Sequence, residues 1–294
     1  MNCYNGEKYL REALDSVYQQ TFQDWEIVFW DNASTDSSAS IAQSYDARVR
    51  YARSPVNEPL GAARAAALRC VRGRCIGFLD TDDVYLPHTI ETQLEALQGG
   101  GYGMVYGGAI VIDQFGKRRA VRTPRHRSGD IFGRLLQRYD ITMASALVDA
   151  SAVRELQLSF RPDFWYGPDY HFFMTIASTY PVGVIPRPIV KYRQSPGSLS
   201  HSTRHLVSKE AGATLEELEH RMPERMRAFV RERQSARDRL VFYDAVGHLT
   251  RGDRTAARTA LRSIAAAQWQ YRFLLAMLSL RAPTPVLLRL LGRN

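Results

Sequence analysis

The sequence predicts an α/β fold built on a sheet of parallel strands and continued by a helical, basic C-terminal region. Three observations carry that reading. Helix-like and strand-like segments alternate through the first 115 residues, an apolar run leads straight into Asp80-Thr81-Asp82-Asp83, and residues 204–294 read as helix after helix. At 294 residues, 45% apolar and 23% charged, the chain is long enough to bury a sizeable core. Its length is that of about two domains of roughly 150 residues each.

The elements follow in order. Tyr9, Leu10, Ala13, Leu14 and Val17 recur at helical spacing, and residues 25–30 form a short apolar run that reads as a buried strand. Ser34-Thr35-Asp36 offers capping oxygens for a second helix over 36–45. Residues 49–52 read as a strand, the alanine-rich 61–71 as a helix, 75–79 as a buried strand, 86–97 as a helix and 103–112 as a strand. From residue 116 the pattern loosens around Lys117-Arg118-Arg119, Arg122, Arg125 and Arg127, with breakers at Pro124 and Gly129, which predicts a mobile loop. Beyond it come a helix over 131–138, an apolar segment at 144–148, a helix starting at Asp169, and strand-like runs at 182–185 and 189–192. Helical spacing then dominates 215–249, 254–267 and 269–280, with no repeat frequent enough for a solenoid.

Composition excludes several classes. No run of about 18 apolar residues is present, and residues 1–10 lack the basic and apolar regions of a cleavable leader, so the expectation is a cytoplasmic chain. Cys3, Cys70 and Cys75 are odd in number and lack zinc-site spacing, and so read as reduced and structural. The net charge of +9 is unevenly distributed: residues 1–203 hold 22 Lys/Arg against 21 Asp/Glu, and residues 204–294 hold 17 against 9. Such a tail is either a solvated helical face or a surface for an anionic partner. Its arginines lack the aromatic interleaving of a nucleic-acid platform, so no nucleic-acid partner is expected.

The chemistry concentrates after two strands. Carboxylates at the C-terminal end of a buried strand stand where open α/β sheets bind ligands, and Asp80, Asp82 and Asp83 follow Phe78-Leu79 in this way. Hard oxygen ligands on a short turn suit Mg²⁺ or Mn²⁺, with substrate phosphates completing the shell; the plainer reading is an acidic turn capping the next helix. Asp31, after Ile27-Val28-Phe29-Trp30, is placed to accept hydrogen bonds from a base or ribose, whereas Asp36 reads as a helix cap.

Several of these motifs, taken in order, resemble the family 2 glycosyltransferases. They are Tyr4-Asn5, Tyr9-Leu10, Ser16-Val17-Tyr18-Gln19-Gln20-Thr21, Trp25-Glu26-Ile27, Asp31-Asn32-Ala33-Ser34-Thr35-Asp36, Gly61-Ala62-Ala63-Arg64 and Leu79-Asp80-Thr81-Asp82-Asp83. The resemblance spans residues 1–203. It implies a GT-A fold, with a Rossmann-like nucleotide-binding sheet, and transfer of a sugar from a nucleoside diphosphate sugar with inversion.

Carried over, it makes Tyr4 a stacking partner for the base, Asp31 the carboxylate that binds it, and Arg64 a neighbour of the nucleotide. Asp83 becomes the direct ligand of a divalent metal (Mn or Mg) and Asp82 its neighbour or the ribose contact. Asp169, in Tyr166-Gly167-Pro168-Asp169-Tyr170-His171, becomes the base that takes the proton of the attacking hydroxyl. Its place at a helix start is expected to lower its pKa. Arg193, with Ser198 and Ser200, becomes a diphosphate contact; Ser195 stands where the family commonly has a histidine. His171 receives no role.

The resemblance also implies a glycan or lipid-linked acceptor in cell-surface glycan assembly. Members carry an apolar strand ahead of the Tyr-Asn pair, so this chain, starting at Met1-Asn2-Cys3, is expected to lack it through truncation. Residues 204–294, with Phe273-Leu274-Leu275, Val286-Leu287-Leu288 and Leu290-Leu291 flanked by Arg281, Arg289 and Arg293, suit peripheral contact with an anionic membrane surface, on its inner face. The competing readings are a nucleotidyltransferase and a catalytically silent sugar-nucleotide binder or scaffold. Neither Gly-x-Gly-x-x-Gly nor a phosphate-binding loop with Gly-Lys-Ser/Thr is present.

Overall fold

The computed structural model describes residues 1–195 and 203–279. They divide into two compact units: residues 1–135 with 139–195, and 136–138 with 203–279.

The first unit starts with β1 (Asn2–Cys3), α1 (Glu7–Tyr18), β2 (Ile27–Asp31), α2 (Ser38–Gln43) and β3 (Val49–Arg53). β1, β2 and β3 form a three-stranded parallel sheet, with Cys3 opposite Asp31 and Asp31 opposite Arg53. Where the first strand was expected to be lacking, the two residues of β1 pair with β2, and the Met1 amine donates to Val28 O at 2.8 Å. A groove of about 590 Å³ lies beside them, lined by Met1, Ile27, Ile76 and Tyr85 among others.

Next come α3 (Leu60–Arg69), β4 (Cys75–Gly77), β5 (Val84–Tyr85), α4 (Thr89–Gln98), β6 (Met104–Asp113), β7 (Arg118–Arg122), α5 (Phe132–Gln137), β8 (Ala146–Asp149), α6 (Ala150–Glu155), α7 (Pro168–Ala177) and β9 (Val182–Gln194). The second sheet runs β4-β8-β6-β9-β5, with β7 paired to β6. It is mixed, where parallel strands were expected. Only β6 and β9 run parallel in it; β4 with β8, β6 with β8, β5 with β9 and β6 with β7 are antiparallel.

Two further expectations change. The segment read as a mobile loop contains β7, an edge strand whose exposed arginines give no apolar alternation to read. The two runs expected at 182–185 and 189–192 are one strand. Pro186 and Pro188 are accommodated because the register shifts opposite Gly107 and Gly108.

The core explains why the helical spacing in α1 was legible. Leu10, Ala13, Leu14 and Val17 are buried in one cluster with Phe29, Val105, Ile189 and Val190. A second, aromatic packing supports α7: the Phe160 and Phe172 rings stack at 4.3 Å, and Phe78 meets Phe172 and Phe173 edge-on at 5.9 and 5.5 Å. Such pairs contribute about 0.5–1.5 kcal/mol each beyond their buried area. They tie the segment leading into Asp80 to the helix that carries Asp169.

In the second unit, α8 (Val207–Arg221), α9 (Pro223–Ala228), α10 (Val230–Thr250), α11 (Arg254–Ile264) and α12 (Trp269–Ser279) follow one another. Ala245, Leu249, Leu261, Ile264, Tyr271, Leu274 and Leu278 form its core. Leu274, expected at a membrane-facing cluster, is thus internal, whereas Trp269 and Phe273 are exposed. Val286, Leu287, Leu288, Leu290, Leu291, Arg281, Arg289 and Arg293 lie outside the described residues. No helix among the described residues is long and apolar enough to cross a membrane.

Candidate active site

A cavity of about 850 Å³ opens at the C-terminal ends of β1 and β4, where the parallel-sheet argument places a ligand. Its wall includes Tyr4, Lys8, Asn32, Glu58, Arg64, Asp80, Thr81, Asp82, Arg122, Trp165, Tyr166, Asp169, Tyr192 and Arg193. Of the residues proposed from the sequence, Tyr4, Arg64, Asp82, Asp169 and Arg193 therefore meet in one wall. Asp31 and Asp83 are not among its lining residues.

Tyr4 is half exposed, at 54%, and presents a free aromatic surface to the cavity. The turns around it are held in place by polar groups. Asn5 (φ 51°) and Ala33 (φ 65°) take left-handed backbone conformations, which non-glycine residues adopt at some cost. Asn5 N–H donates to Ser34 Oγ at 3.0 Å, and Asn5 Oδ1 accepts from Thr35 N–H at 2.8 Å. Asp36, read as a helix cap, accepts from Ser38 N–H and from Glu7 N–H, both at 3.0 Å, so one carboxylate anchors the starts of α2 and α1.

Asp31 is fully buried below this rim. Its oxygens accept from Ser34 N–H at 2.7 Å, from Tyr51 Oη–H at 2.7 Å and from Arg53 Nη1 at 3.1 Å. Burial pushes its carboxyl up, but the Ser34 and Tyr51 hydrogen bonds and the Arg53 charge together hold it below the usual range. Expected to contact the base, Asp31 is not among the cavity's lining residues, and these donors hold its oxygens within the turn. The polar atoms that reach the cavity from this corner belong to Asn32, Asn57 and Glu58, cross-linked by Asn32 Nδ2 to Glu58 O at 2.8 Å and Glu58 N–H to Asn32 Oδ1 at 3.1 Å.

The acidic motif divides by burial. Asp80 and Asp82 line the cavity, whereas Asp83 is 2% exposed and accepts Arg193 N–H through Oδ1 at 2.9 Å. Burial, then the nearby Asp80 charge, pushes the Asp82 carboxyl up to about 6. Asp83 is pushed well above the usual range by burial and by its acidic neighbours. The direct-ligand role expected of Asp83 does not fit this inward placement; Asp80 stands beside Asp82 in the wall instead. Among the described residues no group of three or more His, Cys, Asp or Glu could hold a metal ion. A pair of carboxylates is nevertheless the donor set that Mg²⁺ or Mn²⁺ takes when phosphates supply other ligands.

Two buried arginines organise the wall. Arg64, 6% exposed on α3, places Nη2 2.9 Å from Asp80 Oδ1 and Nη1 3.8 Å from Asp169 Oδ1. Arg193 donates through Nε to Asp82 O at 2.9 Å, through Nη1 to Asp113 O at 3.2 Å and through Nη2 to Glu12 at 2.6 Å. Its guanidinium also stacks over the Tyr9 ring at 4.3 Å. Expected to grip a diphosphate, Arg193 is engaged by the protein on every nitrogen; Lys8 and Arg122 are the other cations in the wall. Ser198 and Ser200 lie outside the described residues.

Asp169 is the second residue of α7, after Pro168 at the first helical position, which suits a residue lacking an N–H. Burial raises its carboxyl above the usual range, while Arg64 and the N–H groups of Asp169 and Tyr170 pull it back. Burial thus outweighs the lowering expected from the helix start. The result is a carboxylate that is a better proton acceptor than one in water.

Comparisons with known proteins give the family and the fold. The family model described as glycosyl transferase family 2 matches residues 1–156. EpsE of Bacillus subtilis (strain 168) is 34% identical over 125 residues, which make up 41% of this chain and 45% of that relative. The chain therefore spans less than half the length of EpsE. The UDP-Glc:alpha-D-GlcNAc-diphosphoundecaprenol beta-1,3-glucosyltransferase WfgD of Escherichia coli is 25% identical over 203 residues, covering 68% of this chain and 78% of WfgD.

Two solved structures share the fold. S. aureus TarS 1–349 aligns with TM-score 0.68 at 15% identity, covering 95% of this chain and 85% of that one. Mannosyltransferase PcManGT from Pyrobaculum calidifontis, in complex with GDP-Man and Mn²⁺, aligns with TM-score 0.62 at 19% identity, covering 97% and 80%. With more than half its length matched by that family model, the chain belongs to glycosyl transferase family 2.

Proposed function

We propose that the cavity binds a nucleoside diphosphate sugar and that its sugar moves, with inversion, to the hydroxyl of a glycan or lipid-linked acceptor used in cell-surface glycan assembly. One observation carries the reading: Asp169 shares a wall with Tyr4 and with the Asp80/Asp82 pair, so a base, a stacking surface and metal-binding carboxylates face one space.

Tyr4 offers its ring to the nucleobase, and the Asn32, Asn57 and Glu58 corner offers hydrogen-bonding groups beside it. Asp31 fixes that corner from below. Asp80 and Asp82 would hold a divalent cation. When bound, such a cation neutralises charge on the departing diphosphate. Lys8 and Arg122 add positive charge at the same wall.

Asp169 takes the proton of the acceptor hydroxyl as its oxygen attacks the anomeric carbon from the face opposite the leaving group. Arg64 keeps the carboxylate oriented and ionised. Trp165 and Tyr166, just ahead of α7, give the acceptor side an aromatic wall.

The test is a panel of nucleoside diphosphate sugars with Mn²⁺, read by mass spectrometry for released nucleoside diphosphate, with NMR assignment of the product anomer. Turnover that is inverting and lost in Asp169→Asn supports the reading. Release of pyrophosphate from a nucleoside triphosphate would establish a nucleotidyltransferase, and donor binding without turnover a silent binder.

A further inference from the structure

The β6–β7 hairpin and the chain that follows it concentrate more charge than the transfer site uses, which takes Arg122 alone from them. Residues 114–129 contain Lys117, Arg118, Arg119, Arg122, Arg125 and Arg127 and no acidic residue. Without these six, residues 1–203 hold 16 Lys/Arg against 21 Asp/Glu, so the cations gather on one feature of an otherwise acidic unit.

Among the described residues, Arg119 pairs with Asp113 at 2.6 Å, and no carboxylate pairs with Lys117, Arg118, Arg122, Arg125 or Arg127. β7 is exposed along its whole length. Basic side chains on an edge strand can simply discourage sheet-to-sheet pairing. That account does not cover Phe115, which is 83% exposed at the hairpin tip, or Val121, which is 41% exposed. An unburied aromatic ring in a segment whose cations, Arg119 apart, have no carboxylate partner among the described residues fits a surface that is anionic outside and apolar beneath.

The hairpin also has a fixed place. Its base is tied to the transfer site by Tyr9 Oη–H donating to Gln114 O at 3.0 Å and by Arg193 Nη1 donating to Asp113 O. Arg122 lies 5.2 Å over the Tyr192 ring, and both line the cavity.

We propose that residues 114–129 dock the protein on a bilayer containing anionic phospholipids, with Phe115 entering the headgroup region and Lys117, Arg118 and Arg125 facing lipid phosphates. The purpose rests on the lipid-linked part of the reading above, since docking there brings the cavity mouth to the surface where such an acceptor resides. The binding test needs neither donor nor acceptor, so the two can fail separately.

The experiment is co-sedimentation of the full chain with vesicles of phosphatidylcholine alone, or of phosphatidylcholine with an equal part of phosphatidylglycerol, at low and high salt. Binding is expected only with phosphatidylglycerol and is lost at high salt. Combining Lys117→Gln, Arg118→Gln and Arg125→Gln is expected to weaken it at least about tenfold. Phe115→Ser weakens it without changing charge, and Arg118→Lys with Arg125→Lys preserves it. Wild-type protein that ignores phosphatidylglycerol overturns the proposal. So does binding left intact by the triple Gln variant, which would assign the contact to another basic segment, or equal binding to both vesicle types.

Discussion

Arg64 Nη1 stands 3.8 Å from Asp169 Oδ1 while its Nη2 holds Asp80 Oδ1 at 2.9 Å, so one buried guanidinium bridges two carboxylates of the cavity wall, of which Asp169 is the proposed base. Burial raises the Asp169 carboxyl and Arg64 is the first opposing influence. Arg64→Met should therefore move the ascending limb of the kcat/KM pH profile to higher pH, because the base then loses its proton less readily. A fall in kcat/KM of at least about tenfold accompanies it. An unshifted limb would separate Arg64 from Asp169.

Asp82 links pH to stability. Its carboxyl, ordinarily at 3.8, is pushed up to about 6 in the folded chain. The folded state then binds the proton more tightly than the unfolded state, so stability falls as pH rises from about 4 to 6 and stays lower above it. Asp82→Asn should raise the Tm of the metal-free protein near neutral pH and leave it unchanged at the most acidic pH the fold tolerates. The same substitution should abolish the Tm increase that Mn²⁺ with a nucleoside diphosphate gives the wild type. Thermal melts across pH, with and without Mn²⁺, read both effects.

Asp83 and Asp82 should behave differently. Asn at 83 can still accept Arg193 N–H through Oδ1, so Asp83→Asn should fold normally and keep Mn²⁺-dependent nucleotide binding. Asp83→Ala leaves that buried N–H unsatisfied and should lose about 1–3 kcal/mol. Calorimetric binding and urea melts on both variants make the comparison; loss of metal binding in Asp83→Asn would return Asp83 to the ligand set.

Gly61 lets α3 approach the segment before α7. A Cβ there would meet Arg161 O at 1.8 Å, and Gly61 N–H donates to Phe164 O at 2.8 Å. Backbone cannot move aside as a flexible side chain does. Gly61→Ala should lose about 1–3 kcal/mol and reduce activity, since the displaced segment leads into Asp169. Urea melts and donor turnover on this variant check both.

How far the sequence could be read depended on where the partners of each residue lie. Helix α1 was legible because Leu10, Ala13, Leu14 and Val17 repeat at the spacing of one buried face. β5 was missed because Val84–Tyr85 is two residues long and paired with β9 about a hundred positions away. β7 was missed because both its faces meet solvent, leaving no alternation. Tyr4, Arg64, Asp82, Asp169 and Arg193, which share the cavity wall, were named together through the family resemblance. The division of the site residues into cavity-facing and buried was not legible, because it depends on distant donors: Arg193 N–H for Asp83, and Tyr51 with Arg53 for Asp31. Asp80 was legible as part of the acidic motif, but its place beside Asp82 was not, because residues 80–83 form a turn in which Asp83 N–H donates to Asp80 O at 3.2 Å. Lys8 and Arg122 gave no local signal.

The central claim is that Asp169 acts as the base in sugar transfer at the cavity that Tyr4, Asp80 and Asp82 also line. Its most direct test is nucleoside diphosphate release from the donor panel by wild-type protein and by Asp169→Asn, with donor affinity measured on both by calorimetry. The account predicts that both bind the same donor with similar affinity and that turnover falls by about 10²–10⁴-fold in the variant. Equal turnover in Asp169→Asn, with donor bound as before, would contradict it.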